Sequence, residues 1–210
     1  ESIDSNALAV TIDITAPTIT ATSLSTNDAQ PALGGTVDDT AATISVTVDG
    51  QTTAATNNGD GTWSLADDTL AALAEGTFDI TVTATDAVGN VGSDATSGEL
   101  TVDLTAPTVT VTTLSTNDTQ PALGGTVDDA AATISVSVDG QTSAATNNGD
   151  GTWSLADDTL AALAEGTFDV TVTATDAVGN VGSDATSGEL TGSFRAGSLG
   201  EAGVVFVFIY

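Results

Sequence analysis

Asp, Glu and Asn supply most of the ligand chemistry in this sequence. Twenty-nine residues are Asp or Glu and one, Arg195, is basic, for a formal net charge of −28; there is no Lys, His, Cys or Met. The missing types exclude whole classes of function. Without His or Cys there is no imidazole base, no thiolate nucleophile and no Cys/His zinc site. Without Lys there is no Schiff base and no P-loop lysine. Nothing is present to neutralise phosphates, which argues against nucleic acid as a partner. No basic patch exists for docking on anionic lipid. No apolar run reaches transmembrane length, so no direct membrane insertion is expected, and no signal peptide is visible. Asp and Ser are plentiful but form no nucleophile pair or oxyanion motif, so the chain is read as not an enzyme. What the acids can hold is a hard cation. Ca2+ takes about six to eight oxygen ligands in irregular geometry, which suits Asp, Asn and backbone carbonyls on loops better than Mg2+ would.

The acids recur at a fixed spacing. Residues 15–101 and 105–191 align without gaps at a period of 90 and differ at eight of 87 positions. All eight are small-for-small or β-branched exchanges that hardly change core volume. Thirteen acids fall in 15–104, twelve in 105–194 and four outside, so the charge belongs to the repeat. That period suits one small domain per repeat. Ala9-Val10-Thr11-Ile12-Asp13-Ile14 matches Glu99-Leu100-Thr101-Val102-Asp103-Leu104. The expected organisation is therefore 1–14 as the final strand and linker of a preceding repeat, 15–104 as repeat 1, 105–192 as repeat 2 and 193–210 as a divergent tail. In the tail Gly192-Ser193-Phe194-Arg195 departs from the pattern, and the end from Val204 to Tyr210 is apolar. It reads as vector-derived or out-of-frame sequence, or as a terminal strand; left exposed it is an aggregation hazard.

The elements that must position the acids are mostly β. In 42–48, Ile44, Val46 and Val48 share one face and the hydroxyls the other, and 78–84 alternates in the same way, as half-buried antiparallel strands do. Asp49-Gly50 is a two-residue hairpin signal, and 57–61 is a longer turn. Strands are expected at about 18–23, 32–37, 42–48, 51–56, 62–65, 77–85 and 95–102. Residues 67–76 are expected to be helical, with an Asp cap and Gly76 closing the turn. Leu70 and Leu73 would cover one end of the core. The fold class is all-β: tandem immunoglobulin-like antiparallel β-sandwiches of seven strands each, with one short helical turn per domain. Trp63 and Phe78 are expected as core anchors.

Alternating loops then collect the acids at the poles. Asp103, the Asp128-Asp129 loop, the 147–150 turn and the 176–180 loop share one pole of the second repeat. Asn27-Asp28, Asp49-Gly50 and Asp67-Asp68 share the opposite pole of the first. Two carboxylates ~4 Å apart repel by roughly 1 kcal/mol even in bulk water, and a calcium ion turns the repulsion into a clamp. The candidate ligands are Asp103, Asp128, Asp176, Asn180 and Asp28, with Asp38 and Asp118 as the period's equivalents. Asp and Asn are also turn residues for backbone reasons, and Asp38-Asp39 and Asp67-Asp68 fit ordinary turn and cap roles. No EF-hand loop or glycine-rich calcium repeat is present.

Asp-x-Thr-Ala-Pro at 13–17 and 103–107, Asn-Gly-Asp-Gly-Thr-Trp at 58–63 and 148–153, and Thr-Asp-Ala-Val-Gly-Asn at 85–90 and 175–180 resemble bacterial Ig-like repeats of very large, type I-secreted, biofilm-associated adhesins of the RTX kind. The resemblance covers about 15–191. It implies a stalk of similar domains, stiffened by calcium at or near their junctions. It implies Asp13, Asp103, Asp86, Asp176, Asn90 and Asn180 as ligands, an extracellular or bacterial cell-surface setting, and neighbouring Ig-like repeats as partners. The expected function is a non-enzymatic extender module of a cell-surface adhesin. The alternatives are a filament subunit joined to other copies of the chain by donor-strand exchange, and a module binding carbohydrate or another partner.

Overall fold

The computed structural model describes residues 11–193. The readings of residues 1–10 and 194–210 lie outside the described residues. The chain divides into two compact units, Glu1–Leu104 and Thr105–Tyr210. In the first, the strands are β1 (Ile19–Ala21), β2 (Leu24–Thr26), β3 (Leu33–Val37), β4 (Thr43–Val48), β5 (Gln51–Asn57), β6 (Thr62–Leu65), β7 (Gly76–Phe78), β8 (Ile80–Thr85), β9 (Val91–Asp94) and β10 (Leu100–Val102). The second unit repeats the series 90 residues on, from β11 (Val109–Val111) to β20 (Leu190–Gly192). Each unit has a sheet in the order β1-β3-β6-β5-β4-β8-β9 and a three-stranded sheet β2-β10-β7, or their equivalents. Each of the seven expected ranges holds at least one of these strands, while β2 (Leu24–Thr26) and β9 (Val91–Asp94) fall outside all of them. The expected 18–23 is strand only over β1; β2 follows it in a different sheet and runs parallel to β10. The run 77–85 breaks at Asp79. Of the expected 95–102 only Leu100–Val102 is strand, and β9 before it belongs to the other sheet.

Period-2 patterning builds the core. Ile44, Val46 and Val48 of β4 and Ile80, Val82 and Ala84 of β8 are all buried, with Val46 opposite Val82. Each such Val or Ile contributes about 1.5–3 kcal/mol on burial. Trp63 is 1% exposed, and its indole N–H donates to the Thr20 carbonyl at 2.8 Å. Phe78 is half-buried against the same core. The β4–β5 hairpin closes through Asp49 at φ 47° and Gly50 at φ 73°, the left-handed pair that its turn requires.

The expected helical turn at 67–76 is corrected. The described residues there form irregular turns, and Asp68 has a φ of 59°. The reason lies in where the backbone bonds go. Asp68 N–H donates to the Gln30 carbonyl and Leu73 N–H to the Ala29 carbonyl. Ala71 N–H donates to Gln51 Oε1, and Gln30 Nε2 donates to the Leu70 carbonyl. Distant partners thus satisfy the groups that a helix would pair internally. Leu70 and Leu73 are nonetheless buried, each 3% exposed.

Carboxylates stitch the remaining seam. β1 packs against β9 with no strand pairing between them, and Asp94 Oδ2 accepts the Ala21 N–H at 2.8 Å. Asp184 and Val111 repeat this at 2.8 Å. Upstream, a Cβ at Gly92 would overlap the Pro17 carbonyl, so only glycine lets the incoming chain lie this close; Gly182 and Pro107 repeat the contact. The Ala21 N–H holds Asp94 below its ordinary pKa of 3.8 against the effect of burial, and the Val111 N–H does the same for Asp184. Their folded pKa values lie below the unfolded ones. The stabilisation is therefore complete above the ordinary value and is lost as pH falls through the folded value. In chelator-containing buffer, Tm should stay level down to about pH 5 and fall steeply below about pH 4. Asp94→Asn with Asp184→Asn should lower Tm at pH 7 and flatten the acid limb, as read by circular dichroism melts.

At one core position the second domain has no side chain. Val102 and Gly192 hold the same register, opposite Gly76 and Gly166, and Val102 is 1% exposed. The second core therefore lacks a Val side chain that the first one buries. Gly192→Val should stabilise the second domain by about 1.5–3 kcal/mol, and Val102→Gly should destabilise the first by at least as much. Denaturant unfolding of each variant against the parent chain checks both.

Candidate functional site

At one end of the first domain, the incoming segment, the loop after β3 and the loop between β8 and β9 enclose a cleft of about 340 Å³. It is lined by Asp13, Thr15, Ala16, Pro17, Asp38, Asp39 and Asp86. Three of the sequence candidates, Asp13, Asp38 and Asp86, thus share one cleft. Asn90 joins them by donating from Nδ2 to the Asp13 carbonyl at 3.2 Å. The 57–61 turn lies alongside, because Asn57 Nδ2 donates to the carbonyls of Asp39 and Ala42, each at 2.9 Å.

Each acid of the cleft is oriented by backbone N–H groups. Asp13 Oδ1 accepts from Thr15 at 3.0 Å, Asp38 Oδ1 from Thr18 at 2.8 Å and Asp39 Oδ1 from Ala41 at 2.8 Å. Asp86 Oδ1 accepts from Val88, Gly89 and Asn90 at 2.9, 2.7 and 2.8 Å, and its Oδ2 accepts from Asn90 Nδ2 at 2.7 Å. Thr85-Asp86-Ala87-Val88-Gly89-Asn90 is therefore one hydrogen-bonded loop built around a carboxylate. The Thr18 N–H lowers the Asp38 pKa. Burial pushes Asp86 upward, but the bonds from Asn90, Val88 and Gly89 outweigh it and leave the pKa lowered. Both groups are thus held as anions. In the second domain Asp128 accepts from Thr108 at 2.8 Å, and Asp176 Oδ1 accepts from Val178, Gly179 and Asn180 at 2.9, 2.7 and 2.9 Å. Asp103 follows β10, and its N–H donates to the Thr26 carbonyl at 2.9 Å.

Asp28 and Asp118 stand apart from the cleft. Asp28 Oδ1 accepts the Gln30 N–H at 2.8 Å, and its carboxylate lies beside Asp67. Burial first and the Asp28 charge second raise the Asp67 pKa. At Asp157 the Asp118 charge is the larger cause of the same upward shift.

Among the described residues no three Asp or Glu side chains converge as a ready metal cage. The cleft supplies carboxylates of one sign around an open volume, which is the chemistry of a hard-cation site before its ligands close in. The sequence reading passed over Asp39, which lines the cleft, and Glu99 and Glu189, the buried charged residues of the two domains. Strand alternation puts Glu99 on the same side as Thr101, so no sequence signal marked it as interior.

No curated protein matches the chain in sequence. Among solved structures, a tetra-tandem repeat from the extending region of a large adhesion protein is 31% identical; the alignment covers 86% of this chain and 49% of that one, with a TM-score of 0.38. A Ca2+-stabilized adhesin that helps an Antarctic bacterium bind ice is 24% identical, over 83% of this chain and 48% of that one, with a TM-score of 0.46. A 1.5-MDa bacterial ice-binding adhesin is 20% identical, over 86% and 67%, with a TM-score of 0.46. The chain spans about half the length of the first two of these. The sequence profile of the bacterial Ig-like domain matches residues 4–104 and 109–191, and the chain belongs to that family, with two copies in tandem.

Proposed function

We propose that this chain is a non-enzymatic extender segment of a bacterial cell-surface adhesin, whose domains are stiffened by calcium. The observation that carries the calcium reading is the cleft. Asp13, Asp38, Asp39 and Asp86 line one volume, and residues 11–193 contain no Lys, Arg or His to balance them. The 90-residue period puts the same residue types at 103, 128, 129 and 176, with Asn180 matching Asn90. The near-identity of the repeats supports the extender reading, because a stalk needs length and regularity and gains nothing from diversity between its units. A carbohydrate-binding role would want exposed aromatic faces, whereas Trp63 and Trp153 are each 1% exposed.

A cation bound here ties the incoming segment to two loops of the domain body and restricts bending of the chain at that point. At a calcium concentration ~100-fold above Kd, binding stabilises the folded state by about 2.7 kcal/mol. Small-angle scattering and thermal melts in CaCl2 and in EGTA test the proposal. Chelation should lower Tm and broaden the distance distribution, and Asp38→Asn with Asp128→Asn should reduce the response. A maximum dimension and a Tm that are both indifferent to EGTA would overturn the calcium clamp.

A further inference from the structure

The 57–62 turn holds a residue pair able to modify itself. Asn58 precedes Gly59, and Asn148 precedes Gly149. In such a pair the glycine nitrogen, once deprotonated, attacks the asparagine Cγ. An N–C bond forms, the Cγ–Nδ2 bond breaks, and Nδ2 takes up the proton and leaves as ammonia. Water then opens the cyclic imide to aspartate or isoaspartate. Each event replaces a neutral amide with a carboxylate, and the isoaspartyl product adds a methylene to the main chain. Glycine favours the attack, because no Cβ restricts its backbone or shields its nitrogen.

Burial does not guard this pair. Asn58 and Gly59 are both exposed, and a Cβ at Gly59 would meet nothing within 4 Å. Hydrogen bonds hold each reacting group instead. Asn58 Nδ2, the leaving group, donates to Thr62 Oγ1 at 2.9 Å. The Thr62 hydroxyl gives its own hydrogen to Asp60 Oδ1 at 2.6 Å. It therefore meets the amide with a lone pair and has no proton to offer it. Asn58 Oδ1 accepts from Ser64 Oγ at 3.0 Å, so both ends of the amide are drawn toward β6. The Gly59 N–H, the source of the nucleophile, donates to Asn57 Oδ1 at 3.1 Å. Asn57 is anchored in turn on the Asp39 and Ala42 carbonyls. The second domain repeats the set: Asn148 with Thr152 at 2.9 Å and with Ser154 at 3.1 Å, and the Gly149 N–H with Asn147 at 3.1 Å.

We propose that Asn58 and Asn148 are deamidation sites that the folded turn keeps latent and that react when the turn opens locally. A carboxylate at 58 has no hydrogen to donate to Thr62, and it adds a second negative charge beside Asp60. The turn that reaches the Asp39 loop through Asn57 thereby loses its closing bond. Because the ammonia is lost, the modification accumulates as a record of how often the turn has opened.

Peptide mass spectrometry on the whole chain, aged in mildly alkaline buffer, tests this. Cleavage before Asp yields fragments 49–59 and 139–149, which Thr53 and Ser143 tell apart. In urea both sites should deamidate at least about tenfold faster than in the folded chain, since opening no longer limits them. Thr62→Val with Ser64→Ala, made in the first domain alone, should speed Asn58 in the folded chain, with Asn148 of the same molecule as the reference. In urea the two sites of that variant should react alike. Should the double variant not fold, Ser64→Ala alone serves for the same comparison. Equal rates in urea and in buffer, or a folded variant whose Asn58 reacts no faster than its Asn148, would overturn the proposal.

Discussion

The acceptance of backbone N–H groups by side-chain carboxylates is the interaction on which this structure rests. A β-sandwich has seams where strands end, switch sheets or fail to pair, and each seam strands main-chain donors. Here acids meet them. Asp94 serves Ala21 at the closing edge, Asp38 serves Thr18 where the chain enters the domain, and Glu99 serves Ile80 where β8 begins. Asp86 serves three successive N–H groups of one loop. Charge-assisted bonds of this kind are about twice as strong as neutral ones. They recur in the second domain with almost the same lengths. The large acidic content is thus partly a structural device, and not merely a solubilising coat.

The same device constrains the residues around it. For Asp94 to reach the β1 backbone, the incoming chain must lie against β9, and Gly92 is the residue that gives the Pro17 carbonyl room. For Thr20 to present its carbonyl to the Trp63 indole, β1 must stay paired with β3 while β2 leaves for the other sheet. The switch of sheet between β1 and β2 therefore has a purpose: one strand anchors the tryptophan and the other carries β10. The core, the seam and the sheet switch depend on one another through a few named contacts.

This interdependence decides what was legible in the sequence. The sandwich, the two domains' shared pattern, the Asp49-Gly50 turn and the interior tryptophan follow from alternation and turn chemistry, which are local. The grouping of Asp13, Asp38 and Asp86 follows from alternating loops, which is coarse topology. The misread features were those set by distant partners. Residues 67–76 have the composition of a capped helical turn, yet Gln30, Ala29 and Gln51 take up their backbone bonds from other parts of the domain. Glu99 has the parity of an outward residue, and a two-residue slip between strands turned it in. Neither partner choice nor strand slip leaves a mark within the short windows in which periodicity is read.

A hydrogen bond from a neutral hydroxyl or N–H steadies a carboxylate without cancelling its charge. It does the opposite, lowering the pKa at Asp38, Asp86, Asp94 and Glu99 and so keeping each group anionic further into acid. Folding therefore concentrates negative charge where a chain with Lys or Arg would neutralise it. Mobile salt screens such charges only where solvent reaches them, over a Debye length of about 8 Å at physiological ionic strength. It does little for an oxygen that is closed off, as at Glu99. The open cleft around Asp38 and Asp86 and the sealed carboxylate of Glu99 thus pose the same electrostatic problem at two depths. A diffuse ion atmosphere answers the first in part and does not reach the second.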